Sequence, residues 1–327
     1  MMRKFLLLPI LISMFLLVWC SKNVEGKDNI NIRIWWQTTR STQWQLVGIF
    51  KNTNILQKNL LSPSFVWVTY GWPLNEAAMA WQVDMILTAD QPAATLLSKN
   101  PNWTIVGRLM YNRVSLYVPK WSDIISIAQL KDKTVAMPFG AAAQRMAIEE
   151  EIKAWLDPKI DVNNINLWIM EQSDLVKDLN AKKWWNIDAM AWFDPTPAVF
   201  EEKWLINVLR TGQVVSVIMM SNDFIKKNPN APKKVIQSFV DAYDFYRKNI
   251  IQSNKWFVED AKLKISDNVF AICSALEPNL FVQNKKDIRM YFNQEDFISL
   301  QNASDFLYKQ WLIKKEIIMK DFIKTDF

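Results

Sequence analysis

Trp81-Gln82-Val83-Asp84-Met85 and Trp185-Asn186-Ile187-Asp188-Ala189 are two versions of one pattern: a helix closes, and a short buried strand with an aspartate begins. Each strand leads to a loop with a second aspartate, Asp90-Gln91-Pro92 in the first copy and Phe193-Asp194-Pro195 in the second. Outward from these anchors the order repeats as strand, polar loop, helix, strand, helix, short strand. Apolar runs of strand length alternating with helical periods are the signature of parallel α/β units. In the first copy the pattern predicts strands over 32–36, 65–69, 83–87, 103–108 and 114–118, with helices over 45–58, 73–80 and 92–98. In the second it predicts strands over 134–137, 166–170, 189–191, 205–209 and 214–220. A helical turn over 127–130 and helices over 141–154, 173–182 and 197–203 go with them. Beyond Asn222 the periodicity is nearly all helical. Two similar α/β lobes followed by a helical tail predict a bilobal clamp.

The composition is unusual in one respect: 17 tryptophans and only 6 glycines in 327 residues. Glycine averages about 7% of residues and supplies positive φ and close backbone approach. Trp81, Trp155, Trp204 and Trp311 each close a predicted helix, at the position just past the C-cap where glycine is enriched. The simplest explanation is that UGA means glycine in the source lineage and has been translated as tryptophan; the alternative is an unusually Trp-rich protein with unusual turns. Trp19, Trp35, Trp72, Trp121 and Trp192, with one of Trp184 and Trp185, join those four as glycine-like positions, and Trp44 is a weaker member. Trp36, Trp67, Trp103 and Trp256 fit as true aromatics, and Trp168 is undecided.

The net charge of +6 is scattered along the chain, and no basic run has the density of a nucleic-acid patch. Histidine is absent, which removes Ser-His-Asp and Cys-His nucleophiles and His-ligated metal. At the N-terminus, Arg3 and Lys4 precede an almost wholly apolar run from Phe5 to Val18, a signal-peptide pattern too short for a membrane span. The run ends Leu17-Val18-Trp19-Cys20, which resembles a bacterial lipobox with Cys20 as the lipidated residue. Trp19 departs from that pattern, which needs a small residue there; a cleaved secretory signal is the alternative. Residues 1–20 are thus the expected signal and 21–30 a linker. Cys273, the other cysteine, is expected to be a buried structural thiol.

The body of the chain resembles the substrate-binding proteins of bacterial ABC importers, in the branch that takes nitrate, sulfonates, taurine and thiamine precursors. The carrying segments are Ile32-Arg33-Ile34-Trp35-Trp36-Gln37, 77–86, 126–140, Ile187-Asp188-Ala189 with Asp194-Pro195, and Tyr308-Lys309-Gln310-Trp311-Leu312-Ile313. The resemblance implies an α/β, periplasmic-binding-protein-like (type II) fold of two lobes. Two crossing hinge strands, near 111–118 and 213–220, would join them, with a helical C-terminal tail packed on the first lobe. The expected boundaries are 31–112 plus 218–327 for lobe 1 and 113–217 for lobe 2.

Ligand is then expected between the lobes, where strand ends meet helix N-termini whose N–H groups and dipoles hold polar atoms. Gln37, Ser41 and Thr42 leave the first strand; the two hydroxyls either reach ligand or only cap the first helix. Tyr70 and Gly71 follow the second strand, Tyr70 as a stacking or core residue. Gly140, Ala141, Ala142 and Gln144 open the helix of the second lobe with accessible backbone. Trp36 is a candidate aromatic platform. Asp90 with Gln91 and Phe193 with Asp194 place two carboxylates at one cleft, which favours amine or aminopyrimidine donors. Their other reading is helix capping ahead of proline. Arg145 is expected to pair with Glu149, one turn on.

The resemblance implies an exported, lipid-anchored, monomeric binding protein with no catalytic residues, cofactor or metal. Its partners would be a small molecule, the ABC permease and, through the anchor, the outer face of the cytoplasmic membrane, but not nucleic acid. The alternatives are a thiamine-precursor synthase-like enzyme on the same fold, which would need histidine and clustered cysteines, and a ligand-sensing domain.

Overall fold

The computed structural model of the protein describes residues 29–38, 41–68, 71–167, 184, 186–262 and 265–327. Trp19, Cys20, Tyr70, Trp168, Trp185 and the helix expected over 173–182 lie outside the described residues. The strands are β1 (Ile30–Gln37), β2 (Leu61–Val68), β3 (Met85–Ala89), β4 (Trp103–Pro119), β5 (Thr134–Met137), β6 (Asn163–Asn166), β7 (Ala189–Phe193) and β8 (Ile206–Ser221). They form one eight-stranded sheet in the order β2-β1-β3-β8-β4-β7-β5-β6. β1 is parallel to β2 and β3, and β5 is parallel to β6 and β7. Between these parallel halves, β4 and β8 run antiparallel to each other along almost their whole length. β3 joins β8, and β7 joins β4, both antiparallel. The result is the expected two-lobe fold, hinged on two crossing strands.

The helices are α1 (Gln43–Asn52), α2 (Ile55–Lys58), α3 (Gly71–Met79), α4 (Asp90–Lys99), α5 (Ala142–Lys153) and α6 (Thr196–Glu202), followed by the tail. The tail comprises α7 (Asn222–Lys227), α8 (Ala231–Lys248), α9 (Ile250–Ala261), α10 (Asp267–Ser274) and α11 (Gln294–Lys309). One apolar cluster gathers β1, α1 and α8 around Ile34, Leu46 and Phe239. A larger one runs from α3 and α4 across β4 and β8 to β5, β7 and α5. Glu277, in the tail, binds the fully buried Arg108 of β4 through two 2.8 Å contacts and also accepts the Tyr111 N–H. The tail is thereby fixed to the hinge.

Three expectations need correction. The helix expected over 45–58 breaks at Thr53–Asn54, where Asn52 and Thr53 side chains bond back to the carbonyls of Gly48 and Ile49. The pairs of short strands expected at 103–108/114–118 and at 205–209/214–220 are each one continuous strand, because their polar interruptions are paired across the ladder. The strand expected at 166–170 is β6, which ends at Asn166.

Four helices end in the same way. In α3, the Trp81 N–H bonds the Ala78 carbonyl and the Gln82 N–H the Ala77 carbonyl. Trp155 with Leu156, Trp204 with Leu205, and Trp311 with Leu312 repeat this paired closure on α5, α6 and α11. This is the Schellman motif, whose residue past the cap must be left-handed. All four tryptophans are so, at φ 59, 63, 56 and 59°. Their rings find no core, with Trp155 94%, Trp311 86%, Trp204 78% and Trp81 51% exposed. Trp72 and Trp121 are exposed as well. The other glycine-like positions behave differently: Trp192 and Trp184 are buried, and Trp44 donates a 2.8 Å bond to Asp260. Of the expected true aromatics, Trp36 and Trp103 are core and Trp256 stacks on Phe245, but Trp67 is exposed on edge strand β2.

Glu151 lies on the buried face of α5, with Asn164 donating a 2.8 Å bond to Oε2 and nothing bonded to Oε1. Burial raises its carboxyl from the ordinary 4.5 to about 7. The protonated form is thus favoured by the fold, and its stabilisation is lost as pH rises through about 7.

Two outcomes follow for unfolding experiments. Trp155→Gly and Trp311→Gly each stabilise the chain by about 1 kcal/mol, whereas Trp155→Ala, still strained at positive φ, does not. Urea midpoints of the three variants check this. The parent loses on the order of 3 kcal/mol between about pH 4.5 and 7 through Glu151, and Glu151→Gln flattens that slope in a pH series of the same melts.

Candidate functional site

The ends of β1, β3, β5 and β7 deliver the starts of α1, α4, α5 and α6 to the seam between the lobes. On the first-lobe side, Gln37 closes β1, and its Nε2 donates to Thr88 Oγ1 at 3.0 Å. Ser41 and Thr42 follow, both buried. Thr42 stands at the N-cap of α1 with φ 65°, yet its hydroxyl caps nothing and is buried without a partner. The capping role is therefore unfilled. Ser41 Oγ accepts from Gln45 Nε2 at 3.3 Å. Gly71 begins α3 so close to Pro92 that a Cβ there would lie 2.6 Å from the ring, which accounts for glycine.

Asp90 and Gln91 open α4, both fully buried. Asp90 Oδ1 accepts the Gln91 N–H at 2.7 Å, and its Oδ2 is bonded by Arg145 Nη2 of α5. The Gln91 amide has neither its nitrogen nor its oxygen bonded. Unmade bonds of buried polar groups cost free energy, so native interiors rarely leave an amide bare at both ends.

On the second-lobe side, Gly140 turns the chain at φ 80° into α5. Its N–H is taken by Gln144 Oε1 at 2.8 Å, and Ala141 and Ala142 are buried behind it. Phe193 stacks on Trp192 with centroids 5.4 Å apart. Asp194 is wholly buried under Arg113 of β4, with Nε–Oδ2 at 2.8 Å and Nη2–Oδ1 at 3.0 Å. Burial raises the Asp194 carboxyl despite the opposing pull of that arginine. Cys273 of α10 sits against Asp194 and Ser41, and burial, with Asp194 second, pushes its thiol well up. Nucleophilic cysteine chemistry needs the opposite shift.

A cleft of about 490 Å³ opens beside this seam. Gly71, Trp72, Asn75 and Lys99 line one wall, Phe139, Gly140 and Gln144 another, and Leu307 and Leu312 of the tail close it. Lys99 Nζ lies 5.3 Å over the Trp72 ring. Among the described residues no group of acidic, cysteine or histidine side chains is arranged to hold a metal, and no helix is long and apolar enough to cross a membrane.

The seam gathers Gln37, Ser41, Thr42, Asp90, Gln91 and Asp194, whereas the cleft takes Gly71, Gly140 and Gln144. Two sequence expectations change, and a third gains a partner. Trp36 is no platform: its ring is sunk in the core, edge-on to Trp44 at 5.4 Å. Asp90 and Asp194 are not two open carboxylates, because each is held by an arginine. The expected pair of Arg145 with Glu149 is present at 3.7 Å, and Arg145 makes a closer contact with Asp90 as well. Arg113 was missed, although a cationic residue inside the apolar run 111–118 is a signal, since a buried charge needs a partner.

No protein-family model matches the chain, and no curated protein is similar to it in sequence. Solved structures share its fold. The periplasmic aliphatic sulphonate binding protein SsuA of Escherichia coli is 20% identical, with TM-score 0.72, over 90% of this chain and 92% of that one. The alkanesulfonate-binding protein SsuA of Xanthomonas axonopodis pv. citri, bound to MOPS, is 17% identical with TM-score 0.71, over 91% and 99%. The desulfurization enzyme DszB is 11% identical with TM-score 0.65, over 91% and 97%. The periplasmic-binding-protein fold is thus shared by binding proteins and an enzyme.

Removing one partner of the Arg113–Asp194 pair strands a buried charge. Arg113→Ala is expected to cost about 3–5 kcal/mol, and the double change Arg113→Met with Asp194→Leu less. Chemical unfolding of both variants reads the difference.

Proposed function

We propose that the chain is an exported solute-binding protein that closes on a small organic anion and hands it to an ABC permease. One observation carries this reading: at the seam of a two-lobe clamp, the Gln91 amide, the Thr42 hydroxyl and Arg145 Nε are buried and unbonded. Such groups are suited to a polar ligand that completes their bonds when the lobes shut. With both carboxylates neutralised by arginine, the case for an amine-bearing ligand weakens and that for a sulfonate-like oxyanion strengthens. Gln37, Ser41, Gly140, Ala141, Ala142, Phe193 and, outside the described residues, Tyr70 complete the proposed contact set. Closure is a ligand-biased hinge motion on β4 and β8, with lobe 1 as 31–112 plus 218–327 and lobe 2 as 113–217. Residues 1–20 carry the export signal, and lipid on Cys20 keeps the monomer at the outer face of the membrane.

The same fold hosts enzymes, but a reaction at this seam would need a nucleophile or base. The chain has no histidine, and Cys273 is a buried thiol with its ionisation suppressed.

The helix-ending tryptophans belong to the same reading. We propose that the source cell decodes UGA as glycine, so that 81, 155, 204 and 311 are glycines in its protein. Four tryptophans in one left-handed motif, with rings in solvent, support this; Leu60 and Lys262, also at positive φ, show that a left-handed residue alone does not require glycine. Trp72 then becomes a glycine in the cleft wall rather than a ligand-stacking ring.

Two measurements test the pair of proposals. Intrinsic fluorescence titrations with ethanesulfonate, taurine and an aminopyrimidine are expected to show saturable quenching by a sulfonate without any product; quenching by none of them, or turnover, contradicts the binding role. Peptide mass mapping of the protein from its own cells is expected to show glycine at 81, 155, 204 and 311. Tryptophan at all four sites refutes the recoding.

A further inference from the structure

We propose that Asp90 and Arg145 form a latch that holds the lobes together without ligand, and that an incoming anion takes Arg145 from Asp90, so that the lobes shut again on the anion in place of the ion pair. The ligand-exchange half rests on the binding-protein reading; the latch itself does not. Asp90 begins α4 directly after β3, in the lobe built on β1 and β3, whereas Arg145 lies on α5, in the lobe built on β5 and β7. Their side chains meet across the seam, 0% and 8% exposed. This ion pair is therefore a bond between two bodies that the fold allows to move apart on β4 and β8. Elsewhere the lobes touch through α11 against α5 and α10 against α6, where Ser266 bonds Glu202.

The geometry of the arginine points to exchange rather than permanent structure. A guanidinium facing a carboxylate commonly engages it through two parallel bonds, as Arg113 does with Asp194. Arg145 gives Asp90 only Nη2, while Nη1 faces Glu149 at 3.7 Å and Nε is buried with no partner. The Gln91 amide, next to Asp90, is bare at both atoms. An oxyanion spanning Nε and Nη2 would make the bond that Asp90 leaves unmade, and its remaining oxygen would suit the Gln91 NH₂. The cleft leads to this point, because Gln144, the neighbour of Arg145, lines it. Removing either charge takes away the ion pair that crosses the seam and leaves the other charge less compensated there, which favours separation of the lobes and entry of water.

The test uses the full chain carrying Cys20→Ser, with nitroxides at Lys58→Cys and Lys159→Cys, exposed positions in opposite lobes. Pulsed electron–electron resonance reads the distance between them without ligand. The parent is expected to give one short population. Asp90→Asn and Arg145→Gln each shift it to longer distance, and the reciprocal swap of Asp90→Arg with Arg145→Asp restores it. Circular dichroism confirms folding, and the near-isosteric Asp90→Asn carries the test if Arg145→Gln does not fold. Unchanged distances in the single variants, or a parent already open, overturn the latch. Ethanesulfonate is the probe for exchange. Asp90→Asn is expected to bind it about tenfold more tightly, since Arg145 loses its closer competing carboxylate and keeps only Glu149 at 3.7 Å. Equal or weaker binding overturns the exchange. If the single variants open but ethanesulfonate binds neither them nor the parent, the latch stands and the ligand reading fails.

Discussion

The antiparallel ladder of β4 and β8 is the constraint on which the rest of the molecule depends. Among the described residues these two strands, 17 and 16 residues long, are the only members of the sheet that run alongside both parallel halves. They set the spacing of the parallel halves and thereby bring the starts of α1, α4, α5 and α6 to one seam. The ladder also carries its own charges: Arg108 fastens the tail through Glu277, and Arg113 lies under Asp194. Both pairs are buried, so their value is geometric more than energetic. They fix where the hinge strands sit relative to tail and second lobe, while the three register shifts along the ladder give the strands their local bends.

Much of this was legible in the sequence, for reasons that differ by residue. The repeated strand–aspartate pattern located both copies because β3 and β7 are buried on both faces and read as short apolar runs. Trp81, Trp155, Trp204 and Trp311 marked helix ends because a Schellman closure leaves little room for any residue but a left-handed one, wherever it falls in the fold. The first hinge strand reads as two because Asn112 and Arg113 break an apolar run, and the partners that explain the burial of Arg113 (Asp194 and Glu201) lie on other elements. The Arg145–Glu149 pair is legible because a helix neighbour is visible in sequence, whereas Asp90, in another lobe, is not. Trp36 looked like a platform from its position beside a loop, whereas the packing of α1 and α9 over β1 places it in the core. Trp192 has a glycine-like place in the sequence, but its ring fills space against Phe193.

The seam combines neutralised carboxylates, an underused guanidinium and a bare amide. Among the described residues, that set is the basis on which an oxyanion is proposed as the ligand. The fold, shared by sulfonate-binding proteins and by a desulfurization enzyme, is compatible with either role. The discrimination therefore rests on the side chains of this chain.

The central claim is that the clamp binds and releases without chemistry. Native mass spectrometry of the protein from its own cells tests it most directly, with the bound species identified after gentle unfolding. The account predicts one small oxyanion per chain, held noncovalently and released intact. A covalent adduct, or a bound molecule that is the product of a reaction the protein catalyses when given its precursor, would contradict it.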